Sequence, residues 1–198
     1  MIITIEGVDQ SGKTVQSKML TDRLLEIGVE ATLFSFPDYT TVLGRKIKES
    51  LAAESVDIQR IHTLLAENRR ERLPDIQQAL YQNKIIVMNR YYESNMIYGM
   101  ANGLDVQWLK DLDFDMPKSD MVILLDISAS ESFRRKHTRD IFETDVQFME
   151  NVVDTYRIYA EQEGWRIIDG TQTPKLVHDS IWDTLKLTIS KLTNMGES

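Results

Sequence analysis

Five short runs of β-branched and aliphatic residues, each followed by a longer stretch of helical periodicity, constrain this chain more than any other feature. The runs are Ile2–Glu6, Ala31–Phe36, Lys84–Asn89, Met121–Asp126 and Trp165–Asp169. Their near-continuous hydrophobicity suits parallel strands whose crossover helices bury both faces of the sheet. Apolar residues then recur at helical spacing: Val15, Met19, Leu20, Leu24 and Ile27; Phe148, Met149, Val152, Val153, Tyr156 and Ala160; Val177, Ile181, Leu185, Ile189 and Leu192. Asp57 to Gln82 reads as one or two helices with a boundary at Pro74, whose ring cannot continue the helical hydrogen-bond ladder. The alternation predicts an α/β doubly wound fold in a single domain over residues 1–198. Residues 134–144 interrupt it. They are basic at first, carry little apolar periodicity, and read as a mobile insert, while Asn194 to Ser198 are expected to fray.

Composition narrows the function. Lys and Arg number 23 against 31 Asp and Glu, a formal charge of −8. Such a chain repels nucleic acid and anionic membranes, so any anion it binds must meet local basic groups. Without cysteine there are no disulfides, thiolate metal sites or cysteine nucleophiles. His62, His137 and His178 are never at metal-ligand spacing and read as packing or surface residues. The apolar runs are too short to cross a bilayer, and the first residues lack a basic signal-peptide start, so a cytoplasmic protein is expected.

Gly7-Val8-Asp9-Gln10-Ser11-Gly12-Lys13-Thr14 fits G-x-x-x-x-G-K-[ST], between the first strand and the first helical stripe. The glycines let the backbone turn its N–H groups inward on phosphate oxygens, and the helix adds its positive dipole end. Lys13 is placed to reach the β- and γ-phosphates of a nucleotide, and the Thr14 hydroxyl to bind Mg²⁺. The guanine-reading N-K-x-D is absent, since Asn83-Lys84 runs directly into Ile85-Ile86.

Further blocks are more specific. Phe36-Pro37-Asp38-Tyr39 follows the second strand, and Leu64-Leu65-Ala66-Glu67-Asn68-Arg69 lies in the Asp57–Gln82 helical stretch. Asn89-Arg90-Tyr91 closes the third strand, ahead of Ser94-Asn95-Met96-Ile97-Tyr98, and Arg134 to Glu143 forms the basic insert. With the phosphate loop, these blocks resemble the thymidylate kinases, a branch of the nucleoside monophosphate kinases, over nearly the whole of Ile2 to Asp169. The resemblance implies a P-loop NTP hydrolase-type fold: a five-stranded parallel sheet, helices on both faces and a LID insert. It also implies ATP as co-substrate, Mg²⁺, dTMP as phosphate acceptor and a homodimer formed through helices.

The resemblance assigns roles by position. Gly7, Asp9, Gln10, Ser11, Gly12, Lys13, Thr14 and Val15 hold ATP. Arg90 holds the acceptor phosphate, Tyr39 donates to a phosphate oxygen, Ser94 is a further substrate-binding position, and Asp9 accepts from the sugar 3′-hydroxyl. Phe36, Leu65, Arg69 and Asn95 surround the base, and the Tyr98 ring disfavours a 2′-hydroxyl. Arg135 and Arg139 close over ATP, supplying the cation that some relatives carry where this chain has Gln10. Arg70 and Arg72 read as solvated.

Two residues depart from the family pattern. Asn89 stands where an acidic residue helps position Mg²⁺ through water, and Leu65 stands where a phenylalanine commonly stacks on thymine. Asp126 is a secondary Mg²⁺ candidate at the end of the fourth strand. Two other functions are weighed against dTMP phosphorylation. One is phosphorylation of another nucleoside monophosphate or a deoxynucleoside; the other is a weakly catalytic nucleotide-binding protein.

Overall fold

The computed structural model describes residues 1–53, 57–135 and 145–194, with the side chains of the last helix described as far as Ile189. Within them the strands are β1 (Ile2–Glu6), β2 (Ala31–Ser35), β3 (Ile85–Asn89), β4 (Met121–Asp126) and β5 (Arg166–Asp169). The helices are α1 (Lys13–Glu26), α2 (Val42–Leu51), α3 (Ile58–Glu71), α4 (Leu73–Tyr81), α5 (Tyr92–Ala101), α6 (Val106–Leu112), α7 (Ala129–Arg135), α8 (Val146–Gln162) and α9 (Pro174–Asn194). Every strand pair is parallel, in the order β2-β3-β1-β4-β5. The chain winds from β1 out to β2, returns to β3, then crosses to β4 and β5. The reversal opens a crevice at the carboxyl ends of the central strands, where open α/β sheets bind ligands.

The sheet is covered on both faces. Ile3 and Ile5 pack with Leu20, Leu24, Ile181 and Leu185 beneath α1 and α9. On the other face, Ile2, Ile86 and Met88 meet Ile76 of α4, while Leu124 meets Val152 and Tyr156 of α8. Burial on both faces holds for β1, β3 and β4 but not at the edges. Leu33 in β2 is 37% exposed and Ile167 in β5 is 45% exposed.

The helical stretch 57–82 divides where expected, with Pro74 in the first turn of α4, a position that has no intrahelical donor to lose. In α1 the buried side chains include Gln16, Ser17 and Thr21, while Val15 and Ile27 are each 49% exposed. The apolar stripe read from the sequence therefore marks only part of the buried face. Short α2, α6 and α7 add to the simple alternation, and Arg134 and Arg135 form the last turn of α7 rather than an insert. The rest of that insert, 136–144, lies outside the described residues, as do the last residues expected to fray, 195–198. Among the described residues no helix is long and apolar enough to cross a membrane.

Candidate active site

The loop after β1 turns through Gly7 (φ 141°), Gln10 (φ 62°) and Gly12 (φ 101°). A Cβ on Gly7 would lie 2.6 Å from the Leu125 carbonyl oxygen, so only glycine lets the loop lie this close to β4. Gly12 caps α1 without a side-chain acceptor, and the first turn carries no acidic residue. The helix start is thus left to an anion. Lys13 curls over the loop and donates to the Val8 carbonyl at 2.7 Å. The Ser11 hydroxyl is buried and has no hydrogen-bond partner among the described residues. Uncapped N–H groups, a lysine and an unspent hydroxyl around one turn fit a polyphosphate.

Arg135 shapes this loop from outside. Its guanidinium donates to the Gln10 carbonyl at 3.0 Å, to the Gly170 carbonyl at 3.1 Å and to Glu131 at 2.6 Å. It ties the phosphate loop to the turn after β5. Arg139, the other basic candidate, lies outside the described residues.

Arg90 follows β3 with a left-handed backbone (φ 61°) that non-glycine residues seldom adopt. Its guanidinium donates to the Asp9 carboxylate, and to the Gly7 carbonyl and Ser94 Oγ at 3.2 Å each. The Tyr98 ring lies 5.5 Å from its centre. Burial works against the charge, but Asp9, Tyr98, Tyr156 and Glu6 outweigh it and raise the Arg90 pKa well above its ordinary value. Arg90 is a fixed cation. Asp9, assigned to the sugar hydroxyl by resemblance, here grips Arg90.

A cleft of about 540 Å³ joins these groups. Its walls include Asp9, Lys13, Thr14, Phe36, Tyr39 and Arg90, and also Leu65, Arg69, Ser94, Asn95 and Tyr98. Most residues singled out from the sequence therefore share one cavity. Asp126 is not among its lining, and its carboxylate accepts from Arg157 Nε at 3.0 and 3.2 Å.

Four features of the site were not legible in the sequence. His62 is fully buried, lines the cleft, and holds Asn95 by two contacts. Its Nδ1 lies 2.7 Å from Asn95 Oδ1, and Asn95 Nδ2 donates to the His62 carbonyl at 3.2 Å. Burial pushes the imidazole down to about 4, so it is neutral at pH 7. Arg69 is clasped by Asp113 through two bonds of 2.7 Å in a buried pair. Asn68 accepts from the Asp38 backbone at 2.7 Å and donates to the Thr41 hydroxyl at 3.1 Å, docking the Phe36–Tyr39 loop onto α3. Arg70 and Arg72 are ion-paired to Asp115 and Asp38 rather than freely solvated. All four are long-range partnerships, which local periodicity cannot show.

The family model for thymidylate kinase matches residues 5–181. The chain belongs to the thymidylate kinase family. It is 33% identical over 189 residues to the thymidylate kinase of Schizosaccharomyces pombe, covering 92% of this chain and 90% of that one. It is also 33% identical to a probable thymidylate kinase of Pyrococcus horikoshii, covering 90% of this chain and 92% of the relative. Among solved structures it is similar to the thymidylate kinase of Candida albicans, with a TM-score of 0.79 at 27% identity over 94% of this chain and 91% of that one.

Proposed function

We propose that this chain transfers the γ-phosphoryl group of ATP to dTMP, giving dTDP and ADP. The observation that carries the reading is that Lys13, at the start of the helix after β1, and Arg90, just after the neighbouring strand β3, line the same cleft as Leu65, Arg69 and Asn95. One cavity thus offers cations for two phosphoryl groups and a half-apolar pocket for a base.

The chemistry needs no dedicated base. A phosphate monoester is mostly dianionic at pH 7, its second pKa being about 6. An oxygen of the dTMP phosphate attacks the γ-phosphorus, the bond from that phosphorus to the β–γ bridging oxygen breaks, and ADP departs. The protein's task is to align two anionic groups and screen their charge. Arg90 and Tyr39 hold the acceptor phosphate. The loop N–H groups and Lys13 hold the donor phosphates, and Arg135 keeps that loop in shape.

Arg139, outside the described residues, would supply a further cation to the phosphates of ATP. Thr14 presents the hydroxyl that would take Mg²⁺, with Asn89 beside it at 3.2 Å. A bound Mg²⁺ would neutralise charge on the donor phosphates. Arg69 and Asn95 meet the polar edge of thymine, Leu65 and Phe36 its faces, and Tyr98 the deoxyribose. A homodimer in the cytoplasm completes the reading, the dimer being checked by sedimentation of the purified chain.

The test is ADP release with ATP and Mg²⁺ while dTMP is varied, compared with an Arg90→Ala variant. Turnover that saturates with dTMP and falls at least about a hundredfold in the variant supports the reading. Equal turnover in both proteins contradicts it.

A further inference from the structure

Glu6 ends β1, one residue before the phosphate loop. It is fully buried and lies outside the cleft lining. A carboxylate in such a place is costly unless its lone pairs are filled. Here they are met by four donors: Tyr91 N at 2.9 Å, Ser94 N at 3.2 Å, Ser94 Oγ at 2.6 Å and Tyr156 OH at 2.8 Å. Tyr91, the residue before α5, gives that helix no side-chain cap. Glu6 supplies the cap from another strand, its negative charge facing the positive end of the helix dipole.

The pattern bears on Arg90 in two ways. Glu6 binds the backbone one residue beyond Arg90, where the chain must hold a left-handed turn that would otherwise relax. A carboxylate also only accepts, so the Ser94 hydroxyl must point its hydrogen at Glu6. That leaves a Ser94 lone pair for Arg90 Nη1, 3.2 Å away. The direction of the chain from Arg90 through Ser94 to Glu6 is therefore set by Glu6. Tyr156 brings α8, the helix that follows the basic segment in sequence, to the same carboxylate.

We propose that Glu6 is the positioning residue for Arg90, with Tyr156 as the link from α8. The inference rests on the reading of Arg90 as the acceptor-phosphate ligand. Glu6→Gln turns one acceptor into a donor facing O–H and N–H groups. Tyr156→Phe removes a single O–H outside the cleft and keeps the ring in the core.

The experiment measures steady-state kinetics and equilibrium dTMP binding on the full chain for Glu6→Gln, Tyr156→Phe and Arg90→Ala, with thermal melting alongside. Tyr156→Phe is expected to lower kcat/KM for dTMP by about threefold to tenfold and Glu6→Gln by about tenfold to a hundredfold, with KM for ATP within about twofold of the parent. If Glu6→Gln does not fold, Tyr156→Phe decides. Loss of activity in Arg90→Ala with unchanged dTMP kinetics in the folded Tyr156→Phe and Glu6→Gln variants overturns the positioning role alone. Equal weakening toward ATP and dTMP, tracking a lowered melting temperature, also overturns it. Full activity in Arg90→Ala overturns the Arg90 reading, and the inference with it.

Discussion

Asn89 Nδ2 donates to the Thr14 hydroxyl oxygen at 3.2 Å, spending part of that oxygen's capacity on a protein donor. An aspartate at this position reverses the bond. Thr14 then donates, its oxygen keeps its lone pairs for a cation, and a negative charge stands beside the donor phosphates' counter-ion. Asn89→Asp is therefore expected to raise kcat with dTMP by about threefold to tenfold and to lower the Mg²⁺ concentration for half-maximal rate. A Mg²⁺ titration at saturating nucleotides checks this, and an unchanged or lower kcat counts against it.

The Arg69–Asp113 pair makes a different prediction. Its side chains are 3% and 5% exposed, so Asp113→Ala strands a buried guanidinium. Breaking such a pair costs about 3–5 kcal/mol. We expect Asp113→Ala to lower the melting temperature and raise KM for dTMP at least about fivefold, with KM for ATP little changed. Denaturant titration and kinetics on the same sample check both halves. A KM for dTMP equal to the parent's would show that Arg69 has no part in acceptor binding.

Glu93 sets a pH dependence of stability. It is buried, and burial together with nearby Glu6 pushes its carboxyl from 4.5 up to about 8, against the bond from Ser119. The folded state therefore binds more protons than the unfolded one between about 4.5 and 8, and stability falls as pH rises across that window. At about 1.4 kcal/mol per pH unit the loss reaches a few kcal/mol. His62 acts in the opposite sense, withdrawing stability as pH falls from 6.5 toward about 4. Glu93→Gln should flatten the melting temperature between pH 5 and 8. Parallel curves for parent and variant would contradict this.

Leu65 lines the cleft without an aromatic face. Aromatic pairs contribute about 0.5–1.5 kcal/mol beyond area burial, so Leu65→Phe is expected to lower KM for dTMP by roughly twofold to tenfold. Calorimetric titration with dTMP checks the same change in Kd, and weaker binding by the variant would show that the pocket is already filled.

Periodicity and motif grammar placed the sheet and the phosphate loop because both are written locally: strand-sized apolar runs, and glycines at the turn before Lys13. They did less well where tertiary partners decide. The polar buried face of α1 defeats a hydrophobic stripe, because Ser17 and Thr21 satisfy their hydroxyls on the carbonyls of Lys13 and Ser17. Glu6 read only as the end of a strand, since its four donors come from residues 85 to 150 positions away. Asp113 and His62 were equally silent, as each gains its meaning from a partner on another helix.

Phosphoryl transfer from ATP to a deoxypyrimidine monophosphate is the reaction proposed for this cleft. Its most direct test is coupled ADP release with ATP and Mg²⁺ over dTMP, dUMP, UMP, dCMP, dGMP and thymidine. For dTMP kcat/KM is expected well above that for every other acceptor, with UMP penalised at the Tyr98 wall and thymidine inert for want of a phosphate to meet Arg90. Turnover preferring another acceptor, or nucleotide binding with no turnover on any of them, would contradict it.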